Sequence, residues 1–122
     1  MPRRPPFRDS LELLQGTLDL MILETLRTWG PQHGYGLSQT IRTNSGERLT
    51  VDAGSIYPAL HRLERAKLVA GSWQRSENNQ RTKVYDLTAA GRRQVVLERS
   101  RWDELVRAMA GVLAPRSAGE GS

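Results

Sequence analysis

The step at which apolar residues recur changes twice along this chain, and that change restricts the fold more than any other feature. Up to Lys67 the apolar positions fall three and four apart, from Leu68 to Leu87 they sit in two short β-type runs, and from Ala89 the helical step returns. Leu14, Leu18, Met21, Ile22, Leu26 and Trp29 form one stripe, which predicts a first helix from Thr17 to Trp29. Trp29-Gly30-Pro31 stops it, because proline disfavours helical backbone in the residue before it and cannot extend the hydrogen-bond ladder. HGYGLSQTIRTNSG, residues 33–46, reads as a short second helix opened by glycines, with Leu37 and Ile41 inward and Asn44-Ser45-Gly46 as its end.

The third helical stretch, GSIYPALHRLERAKLV at residues 54–69, sorts its residues in an unusual way. Ile56, Ala59, Leu60 and Leu63 make the apolar stripe, while Ser55, Tyr57, Pro58, His61, Arg62 and Arg65 occupy the side the core does not use. Pro58 has no donor and is comfortable near a first turn, so the helix should begin close to Asp52–Gly54. Leu68 to Arg75 and Thr82 to Leu87 then read as strands flanking SENNQR, where Asn78-Asn79 can supply the positive φ of a tight hairpin. Thr88 reads as the N-cap of a last helix running from Ala89 to about Leu113.

Composition narrows the chemistry. The chain has no cysteine, which excludes disulfides and thiolate metal sites, and its two histidines, His33 and His61, lie 28 positions apart without a metal-ligand motif. Ser55 and His61 point in different directions on one helix and have no acid or oxyanion site beside them, so no enzyme, metal or cofactor is expected. No apolar run is long enough for a membrane span and MPRRPPFRD lacks the apolar stretch of a signal peptide, which points to the cytoplasm. The formal charge is +5, and 16 of the 18 basic residues are arginine, the side chain suited to bidentate contacts with phosphate and guanine.

Three helices followed by a two-stranded hairpin is the order of a winged helix-turn-helix, in which the third helix enters the major groove and the hairpin, the wing, follows the backbone. The fold class is therefore mainly α with a small β-hairpin, an α+β winged helix-turn-helix plus one long C-terminal dimerisation helix. This gives the crowded face of residues 55–65 a purpose: arginine reads guanine, hydroxyls reach phosphates, and a tyrosine or proline touches thymine methyls or sugars. Arg81 and Lys83 on the wing would add phosphate contacts. Each residue also has a plainer role open to it: Tyr57 as half-buried packing, His61 as a solvated helix residue, Pro58 as a fixed start to the helix. A protein-interaction adaptor is the competing class, and it would want this face apolar.

The last helix raises a question of length. About 25 residues make a rod of roughly 37 Å, longer than the body that the preceding segment can build. Val95, Trp102 and Met109 recur every seven residues, as do Leu105 and Val112, so an apolar stripe outruns its own core. Pairing with a second copy would bury it and present two third helices to two half-sites of an inverted repeat; folding back on its own domain is the alternative. The organisation expected is a flexible basic arm at 1–10, a DNA-binding domain at 11–88, a dimerisation helix at 89–114 and a disordered tail at 115–122.

LLQGTLDLMIL, HGYGLSQTI, GSIYPALHRLERAKLV, the SENNQRTKVYDLTAAGR run and the single long terminal helix together resemble the PadR family of bacterial transcriptional regulators, over Leu13 to Leu113. The length is similar to the short branch of that family. The resemblance implies a homodimeric repressor that binds a pseudo-palindromic double-stranded promoter site and releases it when an effector arrives. It places Tyr35 where the second helix approaches the DNA backbone, Ser55, Tyr57, Pro58, His61 and Arg62 on the recognition helix, and Asn79, Arg81 and Lys83 on the wing. Leu18, Met21, Ile22, Leu105, Val106 and Met109 become candidates for the dimer interface. Trp102 can line a cavity for a small apolar or aromatic effector by stacking, or serve as dimer core. The larger C-terminal domain of long relatives is missing, so induction by a phenolic acid is not carried over.

Overall fold

The computed structural model describes residues 15–116; the expected arm, Leu14 of the first stripe and the tail beyond Arg116 lie outside them. In chain order the elements are α1 (Gln15–Trp29), β1 (Gln32–His33), α2 (Gly34–Asn44), α3 (Ala53–Arg65), β2 (Val69–Arg75), β3 (Arg81–Leu87) and α4 (Ala89–Leu113). The order matches the expected winged helix-turn-helix, with one addition. Gln32 and His33 pair antiparallel with Tyr85 and Val84, so the hairpin becomes a three-stranded sheet in the order β1-β3-β2. Two residues carry no readable period, which is why that strand is invisible in the sequence.

Each helix boundary has a local cause. Gly30 takes φ 85° and its N–H returns to the Leu26 carbonyl, so α1 ends in a left-handed residue that glycine adopts without strain. The His33 imidazole caps α2 by accepting from the Gly36 N–H at 2.9 Å, and the Asp52 carboxylate caps α3 by accepting from the Ser55 N–H at 3.1 Å. Pro58 stands past the first turn of α3, beyond where proline is most comfortable; the carbonyl it fails to bond is that of the exposed Gly54. At the wing tip only Asn79 of the Asn78-Asn79 pair has positive φ, 60°.

The core is one cluster. Leu18, Ile22, Leu23 and Leu26 of α1 pack with Leu37 and Ile41 of α2, the four stripe residues of α3, and Val69, Tyr85 and Leu87 of the sheet. Trp29 departs from its stripe: it is exposed, and Leu23 and Thr25 are inside instead. From α4 only Gly91 and Val95 are buried, and residues 101–113 are exposed along their whole run. The long helix therefore does outrun the body, and in this chain it does not fold back to hide its stripe. Its start is fixed firmly: Thr88 Oγ1 donates to the Lys67 carbonyl at 2.7 Å and accepts from the Gly91 N–H at 3.0 Å, while a side chain at Gly91 would collide with the Leu68 carbonyl.

Candidate nucleic-acid interface

Helix α3 turns three sides to three surroundings. Ile56, Ala59, Leu60 and Leu63 face the core; at 100° per residue, Tyr57, His61 and Glu64 lie on the flank towards the wing, and Ser55 and Arg62 on the flank towards α1. Pro58 and Arg65 stand outermost, both exposed. Between the wing flank, the start of α2 and the hairpin lies a cleft of about 520 Å³ whose walls include Tyr35, Tyr57, His61, Trp73, Arg81 and Lys83. Five of the residues singled out in the sequence thus share one concave surface.

Glycine shapes this cleft. A Cβ at Gly34 would sit 2.6 Å from the Tyr57 ring and 2.9 Å from its hydroxyl, so the first glycine of HGYG is the seat on which Tyr57 rests. Across the hairpin Gly71 stands opposite Tyr85, and a side chain there would displace Lys83 from the ion pair it makes with Glu64 of α3 at 2.9 Å. That pair ties the wing to the recognition helix. The hydrogen bond from Lys83 holds the Glu64 carboxyl below its ordinary range, against a partial loss of solvent that pushes the other way. Burial pushes the Tyr85 hydroxyl up, beneath the same lysine.

The structure separates the remaining candidates. Arg62 is turned from the cleft: its guanidinium donates to Asp19 of α1 at 2.8 Å, and about a third of each side chain is exposed. Burial raises the Asp19 carboxyl above its ordinary range, a shift that Arg62 opposes without cancelling. Asn79 acts in the wing turn, where its Oδ1 accepts from Arg75 at 2.7 Å. Lys83 is partly neutralised by Glu64, whereas Arg81 has no carboxylate partner among the described residues and lies 4.8 Å from the Trp73 ring centroid. Sequence reading missed Trp73, His33 and Asp19. Trp73 could have been found only with the hairpin register in hand, and Asp19 lies 43 positions from its partner.

Of the candidates for the dimer interface on α1, Leu18 and Ile22 lie in the protomer's own core at 7% and 0% exposure, and Met21 is partly open. Leu105, Val106 and Met109 are each about half exposed on the free part of α4. Trp102 faces a second cavity of about 630 Å³ between α1, the end of α2 and α4, lined also by Met21, Trp29, Leu49 and Glu24. Glu24 is divided there: Oε2 accepts from Arg27 and from Thr28, while the buried Oε1 has no hydrogen bond and lies 3.6 Å from Arg99.

A helix-turn-helix followed by a wing, with a basic and aromatic cleft between the third helix and the hairpin, is the winged-helix architecture, and no helix among the described residues is long and apolar enough to cross a membrane. The family of transcriptional regulators described as PadR-like matches residues 22–96, and the chain belongs to it. Transcriptional regulator Rv3488 of Mycobacterium tuberculosis is 38% identical over 79 residues, covering 65% of this chain and 70% of that protein. Among solved structures, a PadR family transcriptional regulator from Eggerthella lenta superposes with a TM-score of 0.73 at 29% identity, covering 88% of this chain and 90% of the other. A PadR-like transcriptional regulator from Bacillus cereus gives 0.71 at 27% identity, over 85% and 98%. These relatives are transcriptional regulators, not enzymes, and the family binds DNA.

Proposed function

We propose that the chain is a sequence-specific transcriptional repressor, working in the cytoplasm, that binds a pseudo-palindromic promoter site as a homodimer and leaves it when a small apolar or aromatic effector binds. The observation that carries the reading is the convergence of Tyr57 and His61 of α3, Tyr35 of α2 and Arg81 of the wing on one cleft beside the outermost residues of the recognition helix. In it Tyr57, Pro58 and His61 meet base edges and sugars, Tyr35 and Ser55 approach the backbone, and Arg81 and Lys83 meet phosphates. Arg65, exposed and without an ion pair among the described residues, is free to reach the DNA from the outward side on which the sequence reading placed both it and Arg62.

In this reading residues 11–88 form the DNA-binding unit and residues 89–114 pair with their copy through Leu105, Val106 and Met109. Their exposed stripe supports it, since a run of apolar side chains on a helix clear of the body has nothing else among the described residues to cover it. The effector site is the cavity beside Trp102, where indole stacking suits a flat ligand and the Glu24 oxygen that accepts no hydrogen bond suits one carrying a donor.

The test is a mobility shift on the DNA upstream of the gene and on duplexes enriched from random sequence, with unrelated competitor, for the wild type and Tyr57→Ala. The expected result is a competitor-resistant shift that Tyr57→Ala loses. No enriched duplex from the random pool would remove the reading in favour of an adaptor.

A further inference from the structure

The wing face turned to α3 can be followed residue by residue. In the hairpin register Gly71 opposes Tyr85, Trp73 opposes Lys83 and Arg75 opposes Arg81, so these six share one face. Its inner end is closed: Tyr85 is buried and Lys83 is drawn down to Glu64. Its tip is occupied too, because Arg75 donates to Asn79 to hold the turn. Between them Trp73 is 59% exposed, and the Arg81 guanidinium stands over its ring. The flanking strand positions Ser72, Gln74 and Thr82 are polar, so a large indole left open here is the exception on this hairpin.

An open aromatic face on a two-stranded projection favours association unless it has a partner. The chemistry beside it identifies that partner. Arg81 has no carboxylate partner among the described residues, and the ring is what orients it, through a cation–π contact and the diagonal cross-strand relation that long side chains can span. Apolar ring and fixed cation therefore lie side by side, matching the alternation of deoxyribose and phosphate along one DNA strand.

We propose that Trp73 is a direct contact of the wing with duplex DNA, its ring against a deoxyribose while it holds Arg81 towards the adjacent phosphate. The inference rests on the DNA-binding reading above and adds a contact which that reading did not contain. Trp73 is thereby both a binding residue and a positioning residue for Arg81.

The experiment uses the three tryptophans of the chain. In Trp29→Phe/Trp102→Phe protein, Trp73 is the sole indole, and its emission is followed during titration with a duplex enriched from random-sequence DNA. Quenching is expected with the duplex and not with polyglutamate at equal charge. In the otherwise wild-type protein Trp73→Phe should lose that DNA-dependent change, which keeps the result independent of how well the double variant folds. Trp73→Ala should bind the duplex about 5- to 30-fold more weakly, with Trp73→Phe recovering most of the loss. Unchanged emission on a bound duplex, with wild-type affinity in Trp73→Ala, would overturn the inference and leave the DNA-binding reading intact. Equal quenching by polyglutamate would also overturn it. Failure to enrich any duplex would remove the parent reading and this one together.

Discussion

Exchanging Asp19 and Arg62, singly and together, decides what the arginine on the recognition helix does. The pair is close, 2.8 Å, and each side chain is about a third exposed. A fully exposed pair contributes about 0.2–1 kcal/mol and breaking a fully buried one costs about 3–5 kcal/mol. Solvent still reaches both groups, so Arg62→Ala should cost about 1–2 kcal/mol at neutral pH. The cost has a definite pH dependence. Burial places the folded pKa of Asp19 above its unfolded value, so the folded state takes up this proton more readily than the unfolded chain. Any penalty from the charged carboxylate is absent below the unfolded pKa and grows as pH rises through the folded one. Removing Arg62 raises that folded pKa further. The gap between wild type and Arg62→Ala, measured by urea denaturation, should therefore narrow as the solution is acidified. The charge swap Asp19→Arg/Arg62→Asp should recover stability relative to either single reversal, and binding titrations should show Arg62→Ala weakening all duplexes alike. If Arg62 instead leaves Asp19 to read a base, Arg62→Ala will relax preference at one base pair per half-site by about 1–3 kcal/mol and Asp19→Asn will not weaken binding. That outcome, or a coupling energy below about 0.3 kcal/mol in the double-mutant cycle, refutes the positioning role.

The wing cations should behave unequally: Arg81→Ala lowers the salt slope of DNA binding by about one, whereas Lys83→Ala lowers it clearly less because Glu64 already neutralises that charge; equal slopes would contradict the asymmetry. Lys83→Met should also remove stability that is present above the unfolded pKa of Glu64 and lost as pH falls through its depressed folded pKa, so the variant and wild type converge in acid when unfolding is followed by circular dichroism. Gly91→Ala forces a methyl group against the Leu68 carbonyl and should destabilise by about 1–3 kcal/mol or more in denaturant titration; a change under about 0.5 kcal/mol would mean α4 shifts freely on the body. Leu105→Glu should convert dimers to monomers in sedimentation velocity, and a persistent dimer would remove α4 from the interface.

What could be read in the sequence divides by the range of the interaction. The α3 stripe Ile56, Ala59, Leu60 and Leu63 is buried as its period requires, and the cap read at Thr88 accepts from Gly91, three residues on. Periodicity also exposed the overhang of α4. It could not divide the polar side of α3, because the same polar pattern serves a flank packed against α1, a flank facing the wing and an edge facing solvent. Arg62 and Arg65 differ by three positions and look alike in sequence; the packing of α1 against one flank of α3 brings Asp19 to Arg62 and leaves Arg65 exposed. The same limit applies to Leu18 and Ile22, buried in the protomer's core, whose apolar character fits a dimer seam and a domain core equally well in sequence. Trp73 failed for another reason: hairpin pairing shifted by one residue would have sent it to the opposite face.

Helix α1 joins the two halves of the proposed switch. Its Met21, Glu24 and Thr25 line the cavity that reaches Trp102 and Arg99 of α4, and its Asp19 holds the recognition helix through Arg62. A ligand too large for that cavity as it stands would push against the helix that positions α3 or against the rod that, in the proposed dimer, sets the distance between two copies of it. Gly91 against the Leu68 carbonyl and the Thr88 bonds make the first turn of α4 stiff, while no residue of α4 after Val95 is buried, so displacement is easier in the outer part of the rod than at its root. Tight binding alone would not release DNA. An effector shifts the protein only by its difference in affinity for the two arrangements, and moving a population from 1:99 to 99:1 needs about a 10⁴-fold difference. A ligand that merely fills the cavity as it stands stabilises the described arrangement; one that must separate Trp102 from Met21 to enter favours another spacing of the recognition helices. Ligands of the two kinds should move DNA affinity in opposite directions, and Trp102→Ala, which relieves the need for separation, should weaken the second kind's effect more than its binding.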